Sequence, residues 1–100
     1  MTDFVLVHGG WHGGWCWRQL EDLLTAKGHR VFAPTLTGLA ERRHLIDCVR
    51  GPDTHVADIL QLLEFEDLSD ITLVGHSDGG TIITAVASFV PERIARLVYL

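Results

Sequence analysis

Cysteine is scarce: Cys16 and Cys48 are the two in the chain. Small secreted domains that depend on disulfides carry many more. The sequence therefore reads as one held by its core, with two buried or half-buried thiols; a single Cys16–Cys48 bridge is the alternative in an oxidising compartment. Basic charge is also low, 8 Lys and Arg against 13 Asp and Glu, a formal net charge of -5. A nucleic-acid binder shows a basic surface, so that partner class is set aside. No apolar run reaches the ~20 residues a bilayer span requires. The opening MTDFVLVHGG lacks the basic-then-apolar build of a secretory leader. The expectation is a cytoplasmic protein with neither membrane nor nucleic acid as partner. Pro34, Pro52 and Pro91 are the three prolines, and each falls at an expected element boundary, where a missing N–H does no harm.

What is present is globular material, 47% hydrophobic and 21% charged over 100 residues, enough for one small domain or part of a larger one. There are no repeats and no low-complexity stretches. FVLV (4–7) is a short continuous apolar run, as in a strand covered on both faces. Residues 16 to 27 place Trp17, Leu20, Leu23 and Leu24 on one helical stripe, with Gly28 at the C-terminal cap. RVFAP (30–34) reads as a second strand stopped by Pro34, and a long loop with one helical turn follows. Pro52-Asp53 starts a helix whose Val56, Ile59, Leu60 and Leu63 keep the period to about Glu66. ITLVG (71–75) is a third strand, Gly79 to Val90 a third helix ended by Pro91, and ARLVYL (95–100) a fourth strand. This alternation predicts the α/β class: a parallel sheet of about four strands with helices on both faces. Apart from Arg96 the last strand is apolar, unlike a blunted sheet edge. The chain is therefore expected to be the N-terminal part of a larger single domain, completed by a further segment in cis or by a second chain.

One short stretch carries chemistry. In Gly75-His76-Ser77-Asp78-Gly79 a serine stands between glycines, after a strand and before a helix. That is the context a nucleophilic serine needs, on a sharp turn at a strand's C-terminal end. Gly75 and Gly79 remove side chains that would collide in so tight a turn, and Gly80 lets the helix approach the sheet. Ser77 is expected in an unfavourable backbone region with its hydroxyl exposed, above helix amides suited to an oxyanion. Capping of the third helix by Ser77-Asp78 is the competing reading. Acyl transfer also needs a second amide donor. His8-Gly9-Gly10 closes the first strand at the same sheet edge, the edge where parallel sheets bind ligands.

Strand–HGG–helix followed by strand–GHSDGG–helix resembles the α/β-hydrolase superfamily. HGGWHGGWCW, with APTLTGLAERRHL and DTHVADI, resembles its methyl-ester esterase and hydroxynitrile lyase branch, small bacterial carboxylesterases in particular. The resemblance covers nearly the whole chain. It implies an incomplete α/β-hydrolase core with strand order second, first, third, fourth. It also implies Ser77 as nucleophile, and Gly10 and Asp78 as the oxyanion-hole amides. The function implied is hydrolysis of small carboxylic esters through an acyl-enzyme. Lyases of this branch typically carry threonine where Gly9 stands, so Gly9 favours hydrolysis. The acid and histidine that activate the serine lie on later loops in the resembled family, so the isolated chain is expected to be inactive or nearly so.

The other polar residues have bland readings. The Asp78 side chain is expected to turn toward its own helix N-terminus, where negative charge is favoured; the sharper alternative is that it attracts positively charged substrates. Trp11, together with His76, is a candidate for the substrate pocket, and Trp11 and Trp15 fit a pocket wall and a core equally. His8 and His12 are expected to line the glycine loop, and the glycines between them deny the helix that an i,i+4 metal pair needs. His29, His44, His55, Asp58 and Glu64 read as surface residues, and Arg42-Arg43 as a charged loop tip. No cofactor or metal is implied. A dinucleotide site fails because Trp11 and His12 break its glycine spacing, and a P-loop fails because no lysine follows Gly14. A non-catalytic small-molecule receptor on the same fold remains the rival from another class.

Overall fold

The computed structural model describes residues 1–100. Four parallel strands, β1 (Asp3–Val7), β2 (Arg30–Phe32), β3 (Ile71–Gly75) and β4 (Ile94–Tyr99), form one sheet in the order β2-β1-β3-β4. The order expected from the resemblance is thus the observed one. Three α-helices alternate with them: α1 (Arg18–Ala26), α2 (Pro52–Phe65) and α3 (Asp78–Phe89). Val7 at the end of β1 is in register with Gly75 at the end of β3, so the loops leaving these strands emerge side by side.

Strand residues alternate between faces, and the core divides accordingly. Val5, Val7, Ile71 and Leu73 pack with Val56, Ile59 and Leu63 of α2 and Ile82, Ile83 and Val86 of α3 in the larger cluster. Leu6 and Val74 face the other way, against Cys16 and Trp17 just before α1 and Leu20 within it. Helices therefore cover both faces, two on one and one on the other.

Several boundaries differ from expectation. Gly14–Trp17 form a 3-10 turn, and α1 proper begins only at Arg18. Leu23 is 61% exposed; at 3.6 residues per turn it lies beyond Leu20 on the far side from Trp17, at the margin of the stripe. The second strand stops at Phe32 rather than Pro34. The loop after it holds more than one turn: Ala40–Cys48 coils as 3-10 helix, broken at Arg42. Cys48 is exposed where at least half-burial was expected, and both thiols are free. No helix is long and apolar enough to cross a membrane.

Candidate active site

The strand-to-helix turn after β3 is strained in the way a nucleophile position requires. Ser77 has φ 55 and ψ -120, a positive φ that costs a non-glycine residue about 1–3 kcal/mol and persists only where its surroundings enforce it. The enforcing contacts are backbone. A β-carbon on Gly75 would stand 2.6 Å from the Gly79 carbonyl oxygen, and one on Gly79 would stand 2.5 Å from that of Val7. The Ser77 side chain makes no capping hydrogen bond to α3. The capping reading therefore fails: the hydroxyl is exposed and uncommitted.

The glycine loop after β1 packs directly on this turn. The His76 amide donates to Val7 O at 3.1 Å. A β-carbon on Gly9 would lie 3.2 Å from the Ser77 β-carbon and 3.0 Å from His76 O. The Gly79 and Gly80 amides are taken by the carbonyls of His76 and Ser77 at 2.9 and 2.8 Å, whereas the amides of Gly10 and Asp78 find no backbone acceptor. Each of the two loops packed together at Ser77 thus carries an N–H group with no backbone partner, and unpaired amide donors are able to bind an anionic oxygen.

Beside the turn is a cavity of about 660 Å³, whose wall includes His8, Gly9, Gly10, Trp11, Leu36, Leu39, Ile46, His55, Asp78, Gly79 and Ile82. Of the residues singled out in the sequence, Gly10, Asp78 and Trp11 meet here. Trp11 has a positive φ of 68 and is 98% exposed, so it stands free over the cavity and is not a core residue. Trp15, 54% exposed, packs on the His12 ring with centroids 5.9 Å apart and belongs to neither the wall nor the core. His76 is not on the wall: its ring lies edge-on to His12 and Trp17, at 6.0 and 6.4 Å, because adjacent side chains diverge at the sharp turn.

The Asp78 carboxylate does not turn away to its helix end. Its Oδ2 lies 3.0 Å from the place a Gly10 β-carbon would occupy, and the side chain is part of the cavity wall. The cause is Gly10 itself, whose missing side chain leaves the space that the carboxylate fills.

Three polar residues do more than their sequence context suggested. His8 is wholly buried. The Leu36 amide donates to its Nε2 at 3.0 Å, so Nδ1 carries the proton and meets Gly9 O at 2.7 Å. Burial holds the His8 pKa below its ordinary value of 6.5, against the opposing effect of the Gly9 bond. His55, expected on the surface, donates from Nε2 to Thr37 O at 2.9 Å and lines the cavity. Asp58, expected on a solvated helix face, accepts both the amide and the hydroxyl of Thr37 at 2.7 Å each. These bonds tie the strap 35–37 to the glycine loop after β1 and to α2, which sets Leu36 against the cavity. The missed signal is the spacing of His55 and Asp58 along α2: i and i+3 share one helix side, here the side facing Thr37. His29 is likewise engaged, its Nδ1 accepting the Thr2 amide at 3.0 Å, and Arg42 donates to Thr35 O at 3.2 Å.

The profile of the alpha/beta hydrolase family matches residues 4–100. The chain is 50% identical over its whole length to a carbendazim hydrolyzing esterase from a Nocardioides strain, covering 41% of that protein. It is 36% identical to an alpha-hydroxynitrile lyase from Arabidopsis thaliana, over 97% of this chain and 38% of the other. Among solved structures, polyneuridine aldehyde esterase superposes with a TM-score of 0.90 at 30% identity, over 99% of this chain and 39% of that one. The chain thus spans about 40% of the length of the relatives it matches. The strained serine turn, the glycine loop packed on it and the profile match together place this chain in the alpha/beta hydrolase family.

Proposed function

We propose that this chain is the nucleophile-bearing part of a serine hydrolase acting on small carboxylic esters. The observation that carries the reading is the pair of backbone amides, Gly10 and Asp78, left without backbone acceptors in the two loops that pack together at the exposed, strained Ser77. In the proposed reaction the Ser77 oxygen attacks the ester carbonyl carbon and its proton passes to a general base. The carbonyl oxygen gains charge between the two amides. The alcohol leaves with the proton, and water then attacks the acyl-enzyme to release the acid and restore the serine.

No histidine of this chain is hydrogen-bonded to Ser77. His76 faces His12 and Trp17, and both nitrogens of His8 are committed. The base and its orienting acid are proposed to come from a further segment of the same domain, in cis or on a second chain, with residues 1–100 as the N-terminal part. Hydrolysis is favoured over lyase chemistry by Gly9, where a β-carbon would already press on Ser77 at 3.2 Å.

The test is turnover of short-chain p-nitrophenyl and methyl esters by the native protein. The expected result is a burst of alcohol release, with a Ser77→Ala variant slower by about 10³-fold or more. Unaltered turnover in Ser77→Ala would overturn the reading.

A further inference from the structure

The cavity beside Ser77 carries one carboxylate, Asp78, and no side chain forms an ion pair with it. Asp78 makes no ion pair and no side-chain hydrogen bond to another residue. The wall contains no lysine or arginine. Of its two histidines, His8 Nε2 accepts from Leu36, which requires a neutral ring, and His55 makes its hydrogen bond through Nε2 to Thr37 O, with no ion pair to Asp78. Leu36, Leu39, Ile46 and Ile82 line the same cavity, so a ligand seated there meets apolar wall on one side and, at the exposed Asp78, one solvent-screened negative charge.

This carboxylate is also close to the reacting position. Its Oδ2 is 3.0 Å from a Gly10 β-carbon position, within a residue's width of the Gly10 amide. A negative charge there opposes a forming oxyanion when the substrate is neutral. A substrate that brings a positive charge reverses the sign of the effect, because it pairs with Asp78 before the oxyanion forms. The exposed indole of Trp11 on the same wall offers the aromatic face on which a cation also rests.

We propose that Asp78 is the specificity-determining residue of this site, selecting esters that carry a cationic nitrogen within a few bonds of the reacting carbonyl. The inference rests on the ester-hydrolase reading above. It makes Asp78 both a backbone donor and a side-chain discriminator, and only the second role is removed by asparagine.

The kinetic test uses an isosteric pair of p-nitrophenyl esters, one of betaine and one of 3,3-dimethylbutanoate, with the native protein and its Asp78→Asn variant. The variant is expected to lower the betaine-to-dimethylbutanoate ratio of kcat/KM about tenfold, as for a solvent-screened charge pair partly withdrawn from water. It should raise turnover of the neutral ester, because the opposing charge is gone. The native preference should weaken with added salt. An unchanged ratio would overturn the proposal. A second arm does not depend on catalysis: choline and 3,3-dimethylbutan-1-ol are titrated into Ser77→Ala protein and followed by NMR. Tighter binding of choline, lost in Ser77→Ala/Asp78→Asn, supports the inference even if no ester is hydrolysed, in which case the ester-hydrolase reading alone fails. Equal binding of the two by the Asp78 protein overturns it.

Discussion

His8 accepts the Leu36 amide hydrogen at 3.0 Å from a position with no exposed surface. The bond joins the glycine loop to the strap that walls the cavity, and it exists only while the ring is neutral. Burial lowers the His8 pKa below 6.5 in the folded protein. In the unfolded chain the ring takes up its proton near the ordinary value, so below about pH 6.5 the unfolded state binds more protons than the folded state. The stabilisation is complete above that pH and is lost as the pH falls from 6.5 toward the lowered folded value. Urea midpoints measured from pH 8 to pH 5 are expected to fall below 6.5. A His8→Leu variant should show a flatter profile over that window and a loss of about 1–3 kcal/mol at pH 8, where the buried Leu36 amide is left unpaired. An equal fall in midpoint with and without His8 would contradict this account.

The turn itself rests on glycine. Alanine at position 75 would place a β-carbon 2.6 Å from Gly79 O, and alanine at 79 would place one 2.5 Å from Val7 O. The obstacles are backbone atoms and cannot swing aside, so each substitution should cost about 3 kcal/mol or more. Gly28→Ala is the control: nothing lies within 4 Å of its added β-carbon, although its φ is 90. Its cost should stay near the roughly 1–2 kcal/mol of a left-handed residue. Thermal or urea unfolding of the three variants gives the comparison, and a Gly28 penalty equal to that at 75 or 79 would count against the packing argument.

How legible this was depends on whether a feature is written locally. β3 matches its sequence boundaries at Ile71–Gly75 because its burial is continuous and glycine ends it. The start of α2 was marked by Pro52 at its first helical position. The serine turn was legible because glycine spacing and a strand–helix context are both local. The orientation of Asp78 was not, because it depends on a vacancy at Gly10, 68 positions earlier in the chain. Asp58 and His55 read as surface residues for the same reason: their partner Thr37 lies 21 and 18 positions away, and a helix face cannot announce what crosses it. The coiling of Ala40–Cys48 as 3-10 helix also left no periodic signal, since its apolar residues Leu45 and Ile46 are adjacent.

Thr37 gives a further prediction. Asp58→Ala removes the acceptor of both its amide and its hydroxyl. Thr37 is buried, so the loss should be about 1–3 kcal/mol, concentrated in the strap. Hydrogen exchange should show the Thr37 and Leu36 amides opening faster, with the β3 amides little changed because the sheet ladder is untouched. Acceleration spread evenly over β3 and the strap would mean that Asp58 supports the whole core and not this loop.

The most direct measurement on the central claim is a crystal structure of the native protein after reaction with an alkyl phosphonate ester. A covalent phosphorus–oxygen bond to Ser77 is predicted, with the phosphoryl oxygen about 2.7–3.1 Å from both the Gly10 and the Asp78 amide nitrogens. An adduct at another residue, or a Ser77 adduct whose phosphoryl oxygen points away from those two amides, would contradict the account.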